Sequence, residues 1–326
     1  MAQDTLNRTN IKQLVTVQPL RERDLTAADR VFRTAFGTFI GLPDPSAFGG
    51  DSDYINTRWR ANPNGAFAAY LDQQVVGSNF ASQWGSVGFF GPLTVRPDLW
   101  DRGVARQLME PVVACFARWG VTHAGLFTFA NSSKHVSLYQ RFGFWPRFLT
   151  AIMSRPIDGT NRHGSDLTQL SNVSAAERES LIAACRDLTD QIYDGLDVTS
   201  EMRSVAEQDL GDTVLVCRDG TVKALAVCHV GAGSEAGSGT CYIKFGAARP
   251  GSTASADFDA LLVACEAFAA AAGARRVSAG VNTARHEAYA QMRARGYRTD
   301  VQGVAMHRPN EEGYNRPGVY LLDDWR

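Results

Sequence analysis

The apolar positions of the chain change period most sharply between residues 89 and 119. Phe89, Phe90, Leu93, Thr94 and Val95 are mostly aromatic or β-branched, the habit of a strand. From Val104 the apolar positions fall at Val104, Leu108, Val112, Cys115, Phe116 and Trp119, the stripe of an amphipathic helix. The junction between them reads Trp100, Asp101, Arg102, Gly103, Val104, Ala105, Arg106. The first N–H groups of a helix have no intrahelical acceptors, and Gly103 and Ala105 leave room beside them, so this turn is expected to hold an anion. Pro111 inside the helix removes one ladder bond and predicts a bend.

Around that junction the same patterning predicts a strand at 15–20 and a helix from Asp24 or Thr26, with Leu25, Ala28, Val31, Phe32, Ala35 and Phe36 inward and Gly37 closing it. Residues 38–65 are rich in Gly, Pro and Asp, with a short helix expected at 53–60. Strands at 66–71 and 74–83 form a hairpin across Asp72-Gln73, followed by a strand at 87–95. A short strand at 126–130 ends at Asn131-Ser132-Ser133, capping residues for the helix that follows. Residues 231–239, dense in Gly and Ser, read as a flexible loop.

The second half repeats the first at one offset. Arg96-Pro97 recurs as Arg249-Pro250 (249 − 96 = 153), Gly120 as Gly273, Gly143-Phe144 as Gly296-Tyr297, and Arg155-Pro156 as Arg308-Pro309. The helix stripe recurs in Phe258, Leu261, Leu262, Cys265 and Phe268. The organisation expected is a polar leader at 1–14, a first copy at 15–156, a linker at 157–166, a second copy at 167–309 and a C-terminal extension at 310–326. The extension reads either as a final strand or as a cover over the first copy's cleft.

The order Leu93-x-Val95, Pro97, then Arg102-Gly103-x-Ala105-Arg106 opening a long striped helix resembles motif A of the GCN5-related N-acetyltransferases (GNAT). Leu138-Tyr139 followed by Gly143-Phe144 resembles that family's motif B. The family's loop begins with Gln or Arg, where this chain has Trp100. The resemblance covers most of each half. It implies an α/β (α+β) class, a tandem GNAT fold with two mixed central sheets flanked by helices. It also implies acetyl-CoA as co-substrate and direct attack by an amine, with a small-molecule acceptor expected. On the family's pattern, Leu93, Thr94 and Val95 hold the pantetheine and help hold the oxyanion. The amides around Asp101, Arg102, Gly103, Val104, Ala105 and Arg106 hold the pyrophosphate, Asn131 and Ser132 are further cofactor-binding residues, and Tyr139 is the general acid.

In the second copy, Thr253, Ala256, Phe258 and Met292 stand opposite Trp100, Gly103, Ala105 and Tyr139. A ring replaces the space for a phosphate, and a thioether cannot donate a proton, so that copy reads as degenerate. Tyr289 lies one turn before Met292. The general base is open: residues 86–92 carry no carboxylate, leaving Asp51, Asp53, a water chain or an amine that arrives neutral. That gap supports a rival reading, a non-catalytic acyl-CoA-binding sensor or scaffold protein.

Composition narrows the picture further. At 326 residues and 44% hydrophobic the chain suits two packed domains. Lys and Arg total 33 against 34 Asp and Glu, with no basic stripe, which argues against nucleic acid. No stretch approaches a membrane span, and the first residues lack an apolar signal core, so a cytoplasmic protein is expected. The six cysteines, Cys115, Cys185, Cys217, Cys228, Cys241 and Cys265, contain no C-x-x-C pair and read as free thiols, mostly buried; no metal site is expected, Cys228-His229 included. Tandem copies suggest a monomer or weak homodimer.

Overall fold

The structure, a computed structural model, describes residues 14–157 and 167–326. The leader expected at 1–14 lies outside the described residues except for Leu14, and the linker expected at 157–166 does so except for Ile157, whose N–H bonds the Arg275 carbonyl at 2.8 Å.

The first half runs β1 (Thr16–Pro19), α1 (Leu25–Phe39), α2 (Ile55–Ala61), β2 (Ala66–Leu71), β3 (Gln74–Trp84), β4 (Val87–Phe90), β5 (Thr94–Val95), α3 (Val104–Arg118), β6 (His123–Thr128), α4 (Ser133–Gln140) and β7 (Trp145–Pro156). The second runs β8 (Leu167–Gln169), α5 (Ala175–Ile192), α6 (Thr199–Glu207), β9 (Gly211–Arg218), β10 (Thr221–Gly231), β11 (Gly237–Ala248), α7 (Ala254–Ala271), β12 (Arg276–Asn282), α8 (His286–Ala294), β13 (Arg298–Arg308) and β14 (Leu321–Leu322). The repeat survives in the elements: β7 begins at 145 and β13 at 298, and 298 − 145 = 153.

The mixed α/β class expected from the sequence is present, and its strands join into one continuous sheet. The order is β1-β2-β3-β4-β6-β13-β7-β12-β11-β10-β9-β8, with β5 on β3 and β14 on β11. The join is an exchange. β13 lies between β6 and β7, pairing Met306 with Leu126, while β7 pairs Ala151 with Val281 of β12. Each half thus lends its late strand to the other. Gly303 permits this closeness: a β-carbon there would stand 2.4 Å from the Phe127 ring.

Two departures from the patterning have physical reasons. The first helix runs past Gly37 to Phe39, because that glycine's role is packing: a β-carbon would stand 2.2 Å from the Pro45 carbonyl oxygen. The strand expected at 87–95 is broken at Gly91-Pro92, where Gly91 has φ 145°. Before the break, β4 pairs in parallel with β6; after it, β5 swings onto Gly77 and Ser78 of β3. A V-shaped gap opens between β5 and β6. Helix α3 closes the base of this layer, burying Val104, Leu108, Met109, Val112, Cys115 and Phe116. Apart from Cys115, each of these side chains contributes roughly 1.5–3 kcal/mol by leaving water. All six cysteines are free, five of them buried. Among the described residues, no helix is long and apolar enough to cross a membrane.

Candidate active site

The V opens into a cleft of about 620 Å³. One wall is the splayed strand, Leu93, Thr94 and Val95, continuing into Trp100, Asp101, Gly103, Val104, Ala105 and Arg106. The other is α4, with Lys134, His135, Leu138 and Tyr139, then Arg141 just past its end, and α1 contributes Phe36 and Phe39. Nine residues named from the sequence therefore share one cavity. Arg102, Asn131 and Ser132 are not among its lining residues; the Ser132 hydroxyl instead caps α4, accepting the His135 N–H at 3.5 Å.

The turn before α3 is shaped for an anion. Asp101 and Gly103 both sit in the left-handed region, φ 64° and 83°, so the chain reverses tightly before the helix starts. Gly103 is the N-cap, and no side chain caps the helix. The first-turn N–H groups therefore lack helical acceptors where the helix dipole is positive, and Arg106 and Lys134 line the same space. Asp101 puts a negative charge there too, but Lys134 Nζ lies 2.6 Å from its Oδ1.

Trp100 takes a role the sequence did not suggest. Its indole N–H donates to the Val95 carbonyl at 2.7 Å, tying the anion turn to the splayed strand, and Lys134 Nζ lies 5.7 Å from its ring centroid. One end of the cleft is aromatic: Phe39 lies 4.9 Å from Phe129 and 5.0 Å from the His135 ring. Of the three phenylalanines lining the cleft, only Phe36 belongs to the inward stripe that the sequence predicts.

Tyr139 lies deep in the cavity, 8% exposed, with the Phe90 ring 5.6 Å away. Burial pushes its phenol well above the ordinary value, against a smaller opposing effect of a hydrogen bond with Thr128. It stays protonated throughout the working pH range. His135 is shifted the other way, held below the usual imidazole value by burial and then by Lys134, so it is neutral near pH 7.

The two carboxylates considered as bases are engaged elsewhere. Asp51 accepts from the N–H and hydroxyl of Ser238, bonds that lower its pKa and tie the first copy to the loop at 231–239. Asp53 precedes α2 and accepts the Asn56 N–H at 2.9 Å and its side-chain amide at 2.8 Å. Neither lines the cleft. In the second copy Phe258 and Met292 are fully buried, and Tyr289 packs against the core.

Residues 36–144, which span the cleft, match the model of the Acetyltransferase (GNAT) family. The chain carries a GNAT-family domain. No curated protein matches the sequence. Among solved structures, a likeness of fold extends over both copies. A protein described as "A Putative Acetyltransferase" from Pyrococcus horikoshii is 12% identical with TM-score 0.68, the match covering 96% of this chain and 95% of that one. A GCN5-related N-acetyltransferase from Sphaerobacter thermophilus is 14% identical with TM-score 0.56, covering 90% and 95%. A third, from Anabaena variabilis, is 11% identical with TM-score 0.50, covering 90% and 72%. At these identities the likeness is one of fold.

Proposed function

We propose that the chain is an acyl-CoA-dependent N-acetyltransferase whose first copy moves an acetyl group from acetyl-CoA to the amine of a small-molecule acceptor. The observation that carries this reading is the single cavity in which an uncapped helix start, a splayed strand and a buried, protonated Tyr139 converge. The residues fit the group: the first-turn amides of α3 have no side-chain cap and suit an anion, and Ala105 leaves the space that Phe258 fills in the other copy.

When bound, acetyl-CoA supplies an activated acetyl thioester. The first-turn amides of α3, with Arg106 and Lys134, hold its diphosphate; backbone groups of Leu93, Thr94 and Val95 orient the pantetheine, the Val95 carbonyl also accepting from the Trp100 indole. Tyr139 keeps its proton until negative charge develops on the departing sulfur, and then donates it. His135, a neutral imidazole on the cleft wall, takes a proton from the incoming ammonium. Phe36, Phe39 and Phe129 keep water from the acceptor end and suit an amine carried on an apolar body.

A rival reading, a non-catalytic acyl-CoA sensor, is favoured by one observation. Asp101 is the sole carboxylate lining the cleft among the described residues, and it is paired with Lys134. Incubation with acetyl-CoA and a panel of small amines, reading free thiol, separates the two: sustained release above the amine-free rate supports the enzyme, and tight CoA binding with no release supports the sensor. The exchanged strands make one chain resemble a two-subunit unit, so we expect a monomer or weak dimer in light scattering.

A further inference from the structure

The V of the second copy is filled by the chain itself. Residues 246–248 correspond to 93–95 at the common offset of 153, the strand that lines the first copy's cleft. Here Leu322 and Leu321 of β14 pair antiparallel with Gly246 and Ala247, and the Ala248 N–H donates to the Tyr320 carbonyl at 2.9 Å. On the opposite strand of the V, a β-carbon on Gly280 would stand 2.2 Å from Asp324 Cβ. Leu321 and Leu322 are fully buried, and Tyr320 packs 5.6 Å from the Phe258 ring.

The same segment then crosses to the first copy. The Trp325 ring packs so closely on Gly125 of β6 that a β-carbon there would lie 2.1 Å away. Arg58 on α2, buried and held by both oxygens of Glu235 at 2.9 Å, donates through Nη2 to the Arg326 carbonyl and through Nη1 to the Gly91 carbonyl at 2.7 Å. Gly91 is the break at which the first copy's strand turns away to open its cleft.

We infer that residues 320–326 are a built-in occupant of the second copy's cofactor slot, and that through Arg58 they position the strand presenting the thioester in the first. The second copy is thereby more than a relic: it holds the strap that fixes the angle of the first copy's V. Arg58 is a positioning residue, since it touches the strand's carbonyl and not the cleft. The consequence for activity rests on the acetyltransferase reading, whereas the coupling itself does not.

The test is hydrogen exchange on the full chain without substrate, with CoA titration alongside. Gly280→Ala wedges Asp324 outward at a position whose backbone accepts alanine. Amides of 321–325 should exchange at least tenfold faster, and those of 90–95 should follow. CoA should bind the native chain at one site per chain. With an amine that supports thiol release, kcat should fall about tenfold while the Kd for CoA stays within threefold. Exchange at 90–95 unchanged while 321–325 loosens, or two CoA sites per native chain, overturns the inference; absence of any CoA binding overturns the acetyltransferase reading alone. If Gly280→Ala does not fold, Arg58→Ala replaces it: protection at 90–95 should be lost and restored by millimolar guanidinium but not by equal sodium chloride, and failure of that rescue counts against the inference.

Discussion

Lys134 Nζ lies 2.6 Å from the Asp101 carboxylate, across the space into which the first turn of α3 points its amides. Both side chains are more than half exposed, so the pair contributes little to stability and is screened by salt. Its effect is on charge: it cancels a cation that would otherwise serve a phosphate. Asp101→Asn should therefore tighten CoA binding by about two- to fivefold, the range of one exposed ion pair. Lys134→Ala should weaken it by a similar factor. Calorimetry at low and high salt checks both, and the differences should shrink as salt rises.

The repeat supplies a second experiment, because the second copy already carries the change. Phe258 occupies the position of Ala105, fully buried in the core. Placing that ring in the first copy, Ala105→Phe, should cover the helix-start amides. Losing charge-assisted hydrogen bonds at about 1.5–3 kcal/mol each lowers CoA affinity by at least about a hundredfold. Ala105 lies on the cleft surface, so the melting temperature should stay within a few degrees. A variant that still binds CoA normally would show that the phosphates lie elsewhere.

Much of the cleft was legible because it is local. The change of period at 95–104, the Gly103-x-Ala105 spacing and Tyr139 on the next helix each depend on neighbours in sequence, as does the hairpin at Asp72 and Gln73, both in left-handed conformation. What escaped depends on distant partners. The loop at 231–239 reads as flexible from its glycines, yet Ser234 and Glu235 are buried: Glu235 bonds Arg58 and Lys244, and Asp53 donates its N–H to the Ser234 carbonyl. No local pattern marks a glutamate whose cation lies 177 positions away. The exchange of β7 and β13 was invisible for the opposite reason: the two strands occupy the same place in each copy, so their patterns fit either half equally well. Trp100 looked like a departure from the family's loop because its bond to the Val95 carbonyl is a matter of geometry.

The two shifted groups in the cleft predict the form of the pH profile. His135 is held below the ordinary imidazole value, so as a base it is ready above pH 6.5 and lost only as the pH falls through its lower folded value. Tyr139 is pushed up, so it contributes no basic limb in the accessible range. kcat/KM for the amine should fall on the acid side below pH 6.5, and His135→Gln should remove that limb while lowering the plateau. Tyr139→Phe should lower kcat by about a hundredfold, within the span of general acid catalysis, with CoA affinity unchanged and the acid limb intact. Unaltered kcat in Tyr139→Phe would take the phenol out of the chemistry.

The exchange of strands leaves a second pH-sensitive feature, away from the cleft. His123 on β6 and His307 on β13 face each other, Nε2 to Nδ1 at 3.2 Å, both essentially without solvent exposure. The Glu311 carbonyl lies 2.8 Å from His307 Nδ1 and can only accept, so that nitrogen carries the proton. Its Nε2 then accepts from Asn315. Burial pushes His123 down to about 4, and burial followed by His123 pushes His307 down to about 3. Both rings are neutral in the fold, while in the unfolded chain each takes a proton near pH 6.5. Between pH 6.5 and about 4 the unfolded state therefore binds more protons, and stability falls as the pH falls. Denaturant midpoints should be flat above pH 7 and drop progressively below 6.5. His123→Phe, which keeps a ring beside Trp325 and cannot charge, should make that drop shallower even if it lowers the midpoint at pH 7. An unchanged slope would mean that the acid sensitivity does not arise where the two copies join.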